Sequence, residues 1–413
     1  MSDEDAAIAR AQESASRSAA PRPYLFFIAG VGSWALAAGM QQVLFTWLLV
    51  GELRVSPRWV GVAQMCQMLP SLLFLLLGGL LADRVELRRL TLGLHLAAAA
   101  AAAALGFMVH AGWVALAVLL PYALTWGTIQ AFAGPARDAM ISRVSGRDLM
   151  RAVTGVTIVQ FSAVALGSRL GGFGQQLGSD AALGVQSAIL LAGLFAVARL
   201  PRAEPHAPPG ERSRALDSIR GGLVEVRRSP RLFPVALLVA ADGLFYMGPF
   251  QVLVPLIVRD AYGGSLSELS LVLMILPIGT IVGSLAVILR GGVRRMGLVF
   301  LLALLGIAAV LVAIAVQPPF WAFGVLIFAW GICHSLFFNT SRTLFQLAAT
   351  PAQRARVLSV HSLGLLGMAP ISNLAAGILA QAVGPLAGCA AAGVAMVLVT
   401  GFALAATRVR SFE

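Results

Sequence analysis

Two charged side chains lie within otherwise apolar stretches of this 413-residue sequence, where an ionisable group is costly and often functional. Asp242 lies about 10 residues, or about 15 Å of helix, into the apolar stretch 232–258, and no other acid lies so deep in one. A carboxylate there can exchange a proton or hold a cationic group, or it can pair with a neighbouring helix. Arg169 is the only arginine within such a stretch. It can attract an anionic solute or extend to the nearby helix end.

A second group of charged residues follows the apolar stretch 58–82. Asp83 comes four residues after Gly79 and is followed by a run of arginines, which are Arg84, Arg88 and Arg89. A carboxylate at a helix end can accept charge-assisted hydrogen bonds from arginine and can face the positive end of a neighbouring helix. Such a group could join two parts of the protein reversibly. If the arginines only set membrane orientation, the acid is left unexplained.

The composition indicates which elements hold these side chains. Apolar residues make up 59% of the chain, charged residues only 12%, and the mean hydropathy is +0.86. This composition predicts a polytopic membrane protein, because a soluble core cannot hide so much apolar surface. A helix needs about 20 apolar residues to cross a bilayer. Twelve segments of about that length follow one another, at 24–50, 58–82, 88–109, 112–134, 150–175, 181–199, 232–258, 267–289, 296–316, 319–342, 355–382 and 385–407.

Orientation follows from the basic residues, all 30 of which are arginine. Successive loops between the predicted spans lie on alternate sides of the membrane. Counted in this way, 26 arginines lie on the side of the termini and three on the other side. Because cytoplasmic loops of membrane proteins are rich in arginine and lysine, both termini are predicted to be cytoplasmic, in a bacterial inner membrane. The same placement explains the net charge of +12 without nucleic-acid binding.

Several function classes lack their sequence features. The three cysteines, at positions 66, 333 and 389, have no metal-binding spacing, so neither a metal nor a cofactor is expected. The chain contains no phosphate-binding G-x-x-x-x-G-K-[ST] loop, no G-x-S-x-G and no H-E-x-x-H. We therefore expect neither an ATP-driven pump nor a membrane enzyme, and no loop is long enough for a sensory domain.

The spans divide six and six around a polar linker, and the two sets resemble each other. A shift of 205 residues places Arg137 on Arg342 and Gly172 on Gly377. Residues 213–228 of the linker could form an amphipathic helix on the membrane surface. The predicted organisation is a disordered cytoplasmic tail, a six-helix bundle, a cytoplasmic linker, a second six-helix bundle and a short tail, at 1–23, 24–199, 200–231, 232–407 and 408–413.

The segment from Gly79 to Arg89 resembles the signature loop of the major facilitator superfamily, G-x-x-x-D-[RK]-x-G-x-[RK]-[RK], with Glu86 in place of the second glycine. The resemblance implies an all-α membrane protein in which twelve transmembrane helices form two pseudo-symmetric six-helix halves. It also implies a conformational latch on the cytoplasmic side, made by Gly79, Asp83, Arg84, Arg88, Arg89 and Arg137. Residues 32–61 and 135–155 look like the enterobactin-exporter and macrolide-efflux branch. Residues 167–172 resemble the family's antiporter motif, G-P-x-x-G-G, with Ser168 replacing proline.

The same resemblance implies a central cavity lined by the first, fourth, seventh and tenth spans. The polar and aromatic candidates on those spans are Trp34, Gln41, Gln42, Trp126, Gln130, Asp242, Tyr246, His334 and Asn339, with Arg169 as a further candidate on the fifth. This mixture suits a bulky amphipathic ligand. A sugar site would more often show several polar groups on one face.

Two transport functions fit these features. The first is a secondary active exporter of a bulky amphipathic molecule, such as a siderophore, drug or secondary metabolite, by alternating access. Protons exchanged at Asp242 would drive efflux. The second is a lipid or lysophospholipid flippase on the same fold, with Arg169 and the basic rim engaging phosphate. The expected partners are a small-molecule substrate, protons and membrane lipids, without nucleic acid, and the chain is expected to be a monomer.

Overall fold

The computed structural model describes residues 22–144, 149–202, 221–350, 353–407 and 409–412. Within these ranges, only the backbone is described for residues 75–84, 142, 149–151 and 354–355. The predicted tail 1–23 therefore lies almost wholly outside the described residues, and helix α1 begins at Arg22.

Twelve long helices make up most of the described chain, which contains no strand. In chain order, α1 to α12 are Arg22–Glu52, Pro57–Arg84, Leu87–His110, Leu116–Val144, Leu149–Gly172, Ser179–Val197, Leu232–Asp260, Leu266–Leu289, Met296–Ala315, Phe320–Ala348, Arg354–Val383 and Pro385–Ala406. Eleven stretches of the described residues are long and apolar enough to cross a membrane, and they fall on every helix except the 28-residue α2. The predicted all-α membrane fold is confirmed.

The two halves repeat unusual local features at matching places. A π-helical turn interrupts the first helix of each half, at Leu48–Glu52 in α1 and at Pro249–Leu253 in α7. The last helix of each half follows a glycine with positive φ, at +91° for Gly178 and +85° for Gly384. An L side chain rarely adopts this conformation, so glycine is required at both turns. These matches confirm the pseudo-symmetric arrangement.

Glycines allow close contact between the halves where α2 meets α11 and α5 meets α8. A Cβ atom added to Gly377 would lie 2.8 Å from the Cα atom of Gly61, and one added to Gly172 would collide with Ser270. Gly172 and Gly377, which the 205-residue shift places together, therefore hold equivalent positions in the interface. Small residues permit such close helix packing in membranes.

The two halves pack closely against each other at one face of the bundle. We call the face with the start of α1 and the end of α12 the terminal face, and the other the opposite face. At the opposite face, Leu48, Val50, Leu253 and Ile257 are fully buried. There Arg259 of α7 donates to the carbonyl of Val50 at 3.0 Å, across the halves. The opposite face is therefore sealed.

The predicted linker helix is described only in part. Residues 221–228 are helical, and residues 213–220 lie outside the described chain. Val226 is buried in the core of the second half, and Gly222 approaches the backbone of Arg356 at the start of α11. This segment therefore packs on the second half at the terminal face.

Candidate functional site

A cavity lies between the two halves near the middle of the bundle, and we call it the central cavity. Helices α1, α2, α4 and α5 line it from the first half, and α7 and α8 line it from the second. It holds about 820 Å³ of empty space, including its open mouth. Its polar lining is dominated by six glutamines, which are Gln41, Gln42, Gln64, Gln67, Gln130 and Gln251.

Helical spacing explains how these amides come together. Gln64, Gln67 and Ser71 follow one another at three and four residues on α2, so they share one face of that helix. Gln41 and Gln42 are adjacent on α1 and therefore point in different directions. Gln41 is buried in the first half, whereas Gln42 is half-buried beside the central cavity.

Hydrogen bonds hold several of the amides in place. The Gln41 carbonyl oxygen accepts from the Tyr122 hydroxyl at 2.5 Å and from Gln186 Nε2 at 3.1 Å. The Gln130 carbonyl oxygen accepts from the indole of Trp34 at 3.1 Å, and no described hydrogen bond engages the Gln130 amino group. These bonds fix the orientation of the amides before any solute binds.

A second cavity, the side cavity, extends within the first half toward the terminal face. It shares Ala38, Gln130 and Val164 with the central cavity and holds about 830 Å³, including its mouth. Trp34 lies at the junction of the two cavities, where its ring stacks on Trp126 with centroids 6.5 Å apart. The two cavities are therefore adjacent.

Arg137 lines the side cavity close to the terminal face. Its guanidinium group donates to Gln160 at 2.9 Å and to the neighbouring Asp138 at 3.1 Å, so it bonds within its own half.

The second half carries a buried polar cluster made of Asp242, Tyr246, Trp330 and His334. The rings of Tyr246 and His334 lie nearly parallel with centroids 4.4 Å apart. Asp242 is fully buried, and neither carboxyl oxygen has a hydrogen-bond partner among the described residues. The Trp330 indole nitrogen and His334 Nδ1 are buried without partners in the same way. An ionised carboxylate is unstable in such surroundings, whereas a protonated one is tolerated.

The remaining predicted residues lie elsewhere. Arg169 donates to the Ser270 hydroxyl at 3.3 Å and stacks over Phe173, so its side chain lies at the α5–α8 contact and outside the described cavity lining. Asn339 bonds to the Ser335 carbonyl of its own helix at 2.9 Å. Arg89 pairs with Glu86 at 2.7 Å and is largely exposed.

The predicted latch is only partly described. Gly79, Asp83 and Arg84 belong to the part of α2 of which only the backbone is described, and Arg88 is half-buried. The structure does not join Arg88 or Arg89 to Arg137 by any described contact.

Sequence reasoning missed three glutamines of the central cavity, which are Gln64, Gln67 and Gln251. Gln64 and Gln67 lie on α2, outside the four helices that the resemblance singled out. Their spacing with Ser71 on an apolar helix was a usable signal, because three polar side chains share one face. Gln251 lies within the π-helical turn of α7, where its direction cannot be read from regular helical spacing.

Comparisons with known proteins agree with this architecture. Residues 25–362 match the sequence family described as the Major Facilitator Superfamily. The chain belongs to this superfamily. Its fold is therefore that of secondary transporters that work by alternating access, and the chain is a transporter. No curated protein sequence matches it.

Three solved structures similar to this superfamily member are also transporters. A point mutant of the nucleoside transporter NupG is 13% identical, with a TM-score of 0.76 over 93% of this chain and 99% of that one. A bacterial homolog of the human lysosomal transporter Spinster, inward-facing and unoccupied, is 15% identical, with a TM-score of 0.68 over 95% and 97%. The peptide transporter POT in complex with sulfate is 13% identical, with a TM-score of 0.72 over 95% and 96%. These likenesses show the fold, and the enterobactin and macrolide branch stays a prediction.

Proposed function

We propose that this protein is a proton-coupled secondary transporter that exports an amphipathic small molecule, such as a siderophore, drug or secondary metabolite. The observation that carries the proposal is the central cavity, which is shared by two pseudo-symmetric halves and is sealed from the opposite face. The proposal makes that cavity the transport site.

Alternating access requires the halves to separate at one face while they meet at the other. The glycine contacts between α2 and α11 and between α5 and α8 suit this motion, because helix backbones that touch directly can rock without side-chain rearrangement. The structure is closed at the opposite face. Rocking about the middle of the bundle would open that face and close the terminal face.

Asp242 is the proposed proton site. Its buried carboxyl group has no described partner, and Asp242 lies one helical turn before Tyr246, whose ring stacks on His334. In the state closed at the opposite face, Asp242 would carry its proton. Release requires hydration or a charged partner, and rocking of the second half would change both.

The distribution of arginines supports a cytoplasmic terminal face and a bacterial inner-membrane location. The proposed latch would then form on the cytoplasmic side when that face closes. In the present conformation, Arg89 and Arg137 bond within the first half, as expected for a released latch.

Proteoliposomes test the proposal. Vesicles containing the purified protein and the entrapped pH dye pyranine receive uridine or tetraphenylphosphonium outside. Coupled exchange changes the internal pH, and we expect Asp242→Asn to abolish that change while exchange of substrate between the two sides persists. Asp180→Asn is the matched control, because Asp180 pairs with His110 at the opposite face, away from the cavities.

Two results would contradict the proposal. If Asp242→Asn retains the pH change, proton coupling does not use Asp242. If NBD-labelled phosphatidylcholine moves between leaflets, as measured by dithionite quenching, while neither solute is transported, the protein is a lipid flippase.

A further inference from the structure

The lining of the central cavity indicates the chemical class of the solute. We infer that this cavity takes an uncharged solute with several hydroxyl or amide groups on one side and a flat or apolar surface on the other. The inference rests on the proposed function only in treating the cavity as the transport site.

Free amide groups line part of the central cavity. Gln42 and Gln67 line the cavity, are half-buried and make no side-chain hydrogen bond to the described residues. The Gln130 carbonyl is occupied by Trp34, so its amino group remains a donor. Each free amide offers two donors and an acceptor with two lone pairs. Such a wall can donate hydrogen bonds to the hydroxyl and amide groups of a solute and can accept hydrogen bonds from them.

The described lining of the central cavity is uncharged. The described residues that line the central cavity include no aspartate, glutamate, arginine or histidine. Two predicted charged candidates lie outside this lining, since Arg137 bonds to Gln160 in the side cavity and Asp242 is buried in the second half. An ionised solute would lose its hydration without gaining a counter-charge, and that loss is costly.

Apolar and aromatic side chains form another part of the cavity wall. Trp126 and Phe250 line the cavity from different halves, together with Met68, Pro255 and Leu273. The Trp126 ring is held between the rings of Trp34 and Tyr122, with centroids 6.5 and 6.3 Å away. Fixed aromatic rings provide a flat apolar surface at little cost in conformational entropy. Amides and aromatics together select a solute that is amphipathic without being charged.

Equilibrium binding to the purified full-length protein tests the inference without a proton gradient. The probes are uridine and N-acetylglucosamine, which are uncharged, against uridine 5′-monophosphate, N-acetylglucosamine 6-phosphate and tetraphenylphosphonium, which are charged. We expect uridine or N-acetylglucosamine to bind, and its charged counterpart to bind at least about tenfold more weakly. Tryptophan fluorescence reports binding, because Trp126 lines the cavity.

Variants of Gln67 separate hydrogen bonding from charge. Gln67→Leu removes the amide at similar side-chain volume and should weaken binding of the uncharged probe roughly tenfold. Gln67→Glu keeps the shape but adds a negative charge, and it should raise the affinity for tetraphenylphosphonium. Gln176→Leu is the matched control, because Gln176 is exposed at the opposite face. Gln42→Leu repeats the test if a Gln67 variant fails to fold.

The outcomes separate this inference from the proposed function. Failure of both uncharged probes to bind, tighter binding of a charged counterpart, or unchanged affinity in folded Gln67→Leu and Gln42→Leu overturns the inference. If tetraphenylphosphonium is the tighter ligand and its transport depends on Asp242, the inference fails while proton-coupled export stands. If the uncharged probes bind as expected but Asp242→Asn leaves proton movement intact, the inference stands and proton coupling at Asp242 fails.

Discussion

Gly377 should control which face of the transporter is open. A Cβ atom at this position would lie 2.7 Å from the carbonyl oxygen of Pro57 and 2.8 Å from the Cα atom of Gly61, all in α2 and α11 near the opposite face. Ordinary contacts are about 3.5 Å. Gly377→Ala therefore requires two helix backbones to separate by about 0.7 Å.

The cost falls on the state in which the halves touch at the opposite face. Overpacking of this kind costs about 1–3 kcal/mol. Because the clash disappears when α2 and α11 separate, Gly377→Ala should shift the equilibrium toward the state open at the opposite face by roughly 5- to 150-fold. The same substitution at Gly367 of α11 is the matched control, since its Cβ atom would lie 3.5 Å from Leu72 of α2, an ordinary contact.

Distances between spin labels measure the shift. Ser56 and Gln381 are exposed at the start of α2 and the end of α11, and each can be replaced by cysteine after Cys66, Cys333 and Cys389 are removed. Pulsed electron resonance should show a larger fraction of long distances for Gly377→Ala than for Gly367→Ala. Equal distance distributions in two folded variants would refute the reasoning.

Two stability predictions concern other features. Gly384→Ala forces an L side chain to φ near +85° and should lower the free energy of unfolding by about 1–3 kcal/mol. Chemical denaturation in detergent measures this loss. Ala382→Gly, two residues earlier in the chain, is the control, because it should not impose this strain. Gln41→Leu leaves the buried Tyr122 hydroxyl and Gln186 amide without their acceptor and should cost about 1–3 kcal/mol, and Gln41→Leu combined with Tyr122→Phe should recover part of it. No recovery in the double variant would contradict the proposed network.

The overall fold could be predicted from sequence because it depends on length and hydropathy. A helix that crosses a membrane needs about 20 apolar residues, so the twelve apolar stretches and their even number could be predicted from the hydropathy along the sequence. The equivalence of Gly172 and Gly377 in the two halves could also be predicted, because a duplicated chain keeps equivalent residues at a fixed shift in sequence. Both features concern the backbone and its repetition.

The lining of the cavity was less predictable, because it depends on which face each helix turns inward. Gln42 and Trp126 line the central cavity as proposed, but the resemblance directed attention away from α2 and therefore away from Gln64 and Gln67. Arg169 illustrates the opposite case. Its charge suggested a solute contact, whereas the close approach at Gly172 brings Ser270 within its reach.

The uncharged lining of the central cavity has a consequence for energetics. Moving one elementary charge across a membrane changes its energy by about 2.3 kcal/mol for every 100 mV of potential. Because the described lining carries no ionisable group, reorienting this wall between the compartments performs no electrical work of its own. The voltage would then act on other charges, such as that of the Asp242 carboxyl group as it gains and loses its proton.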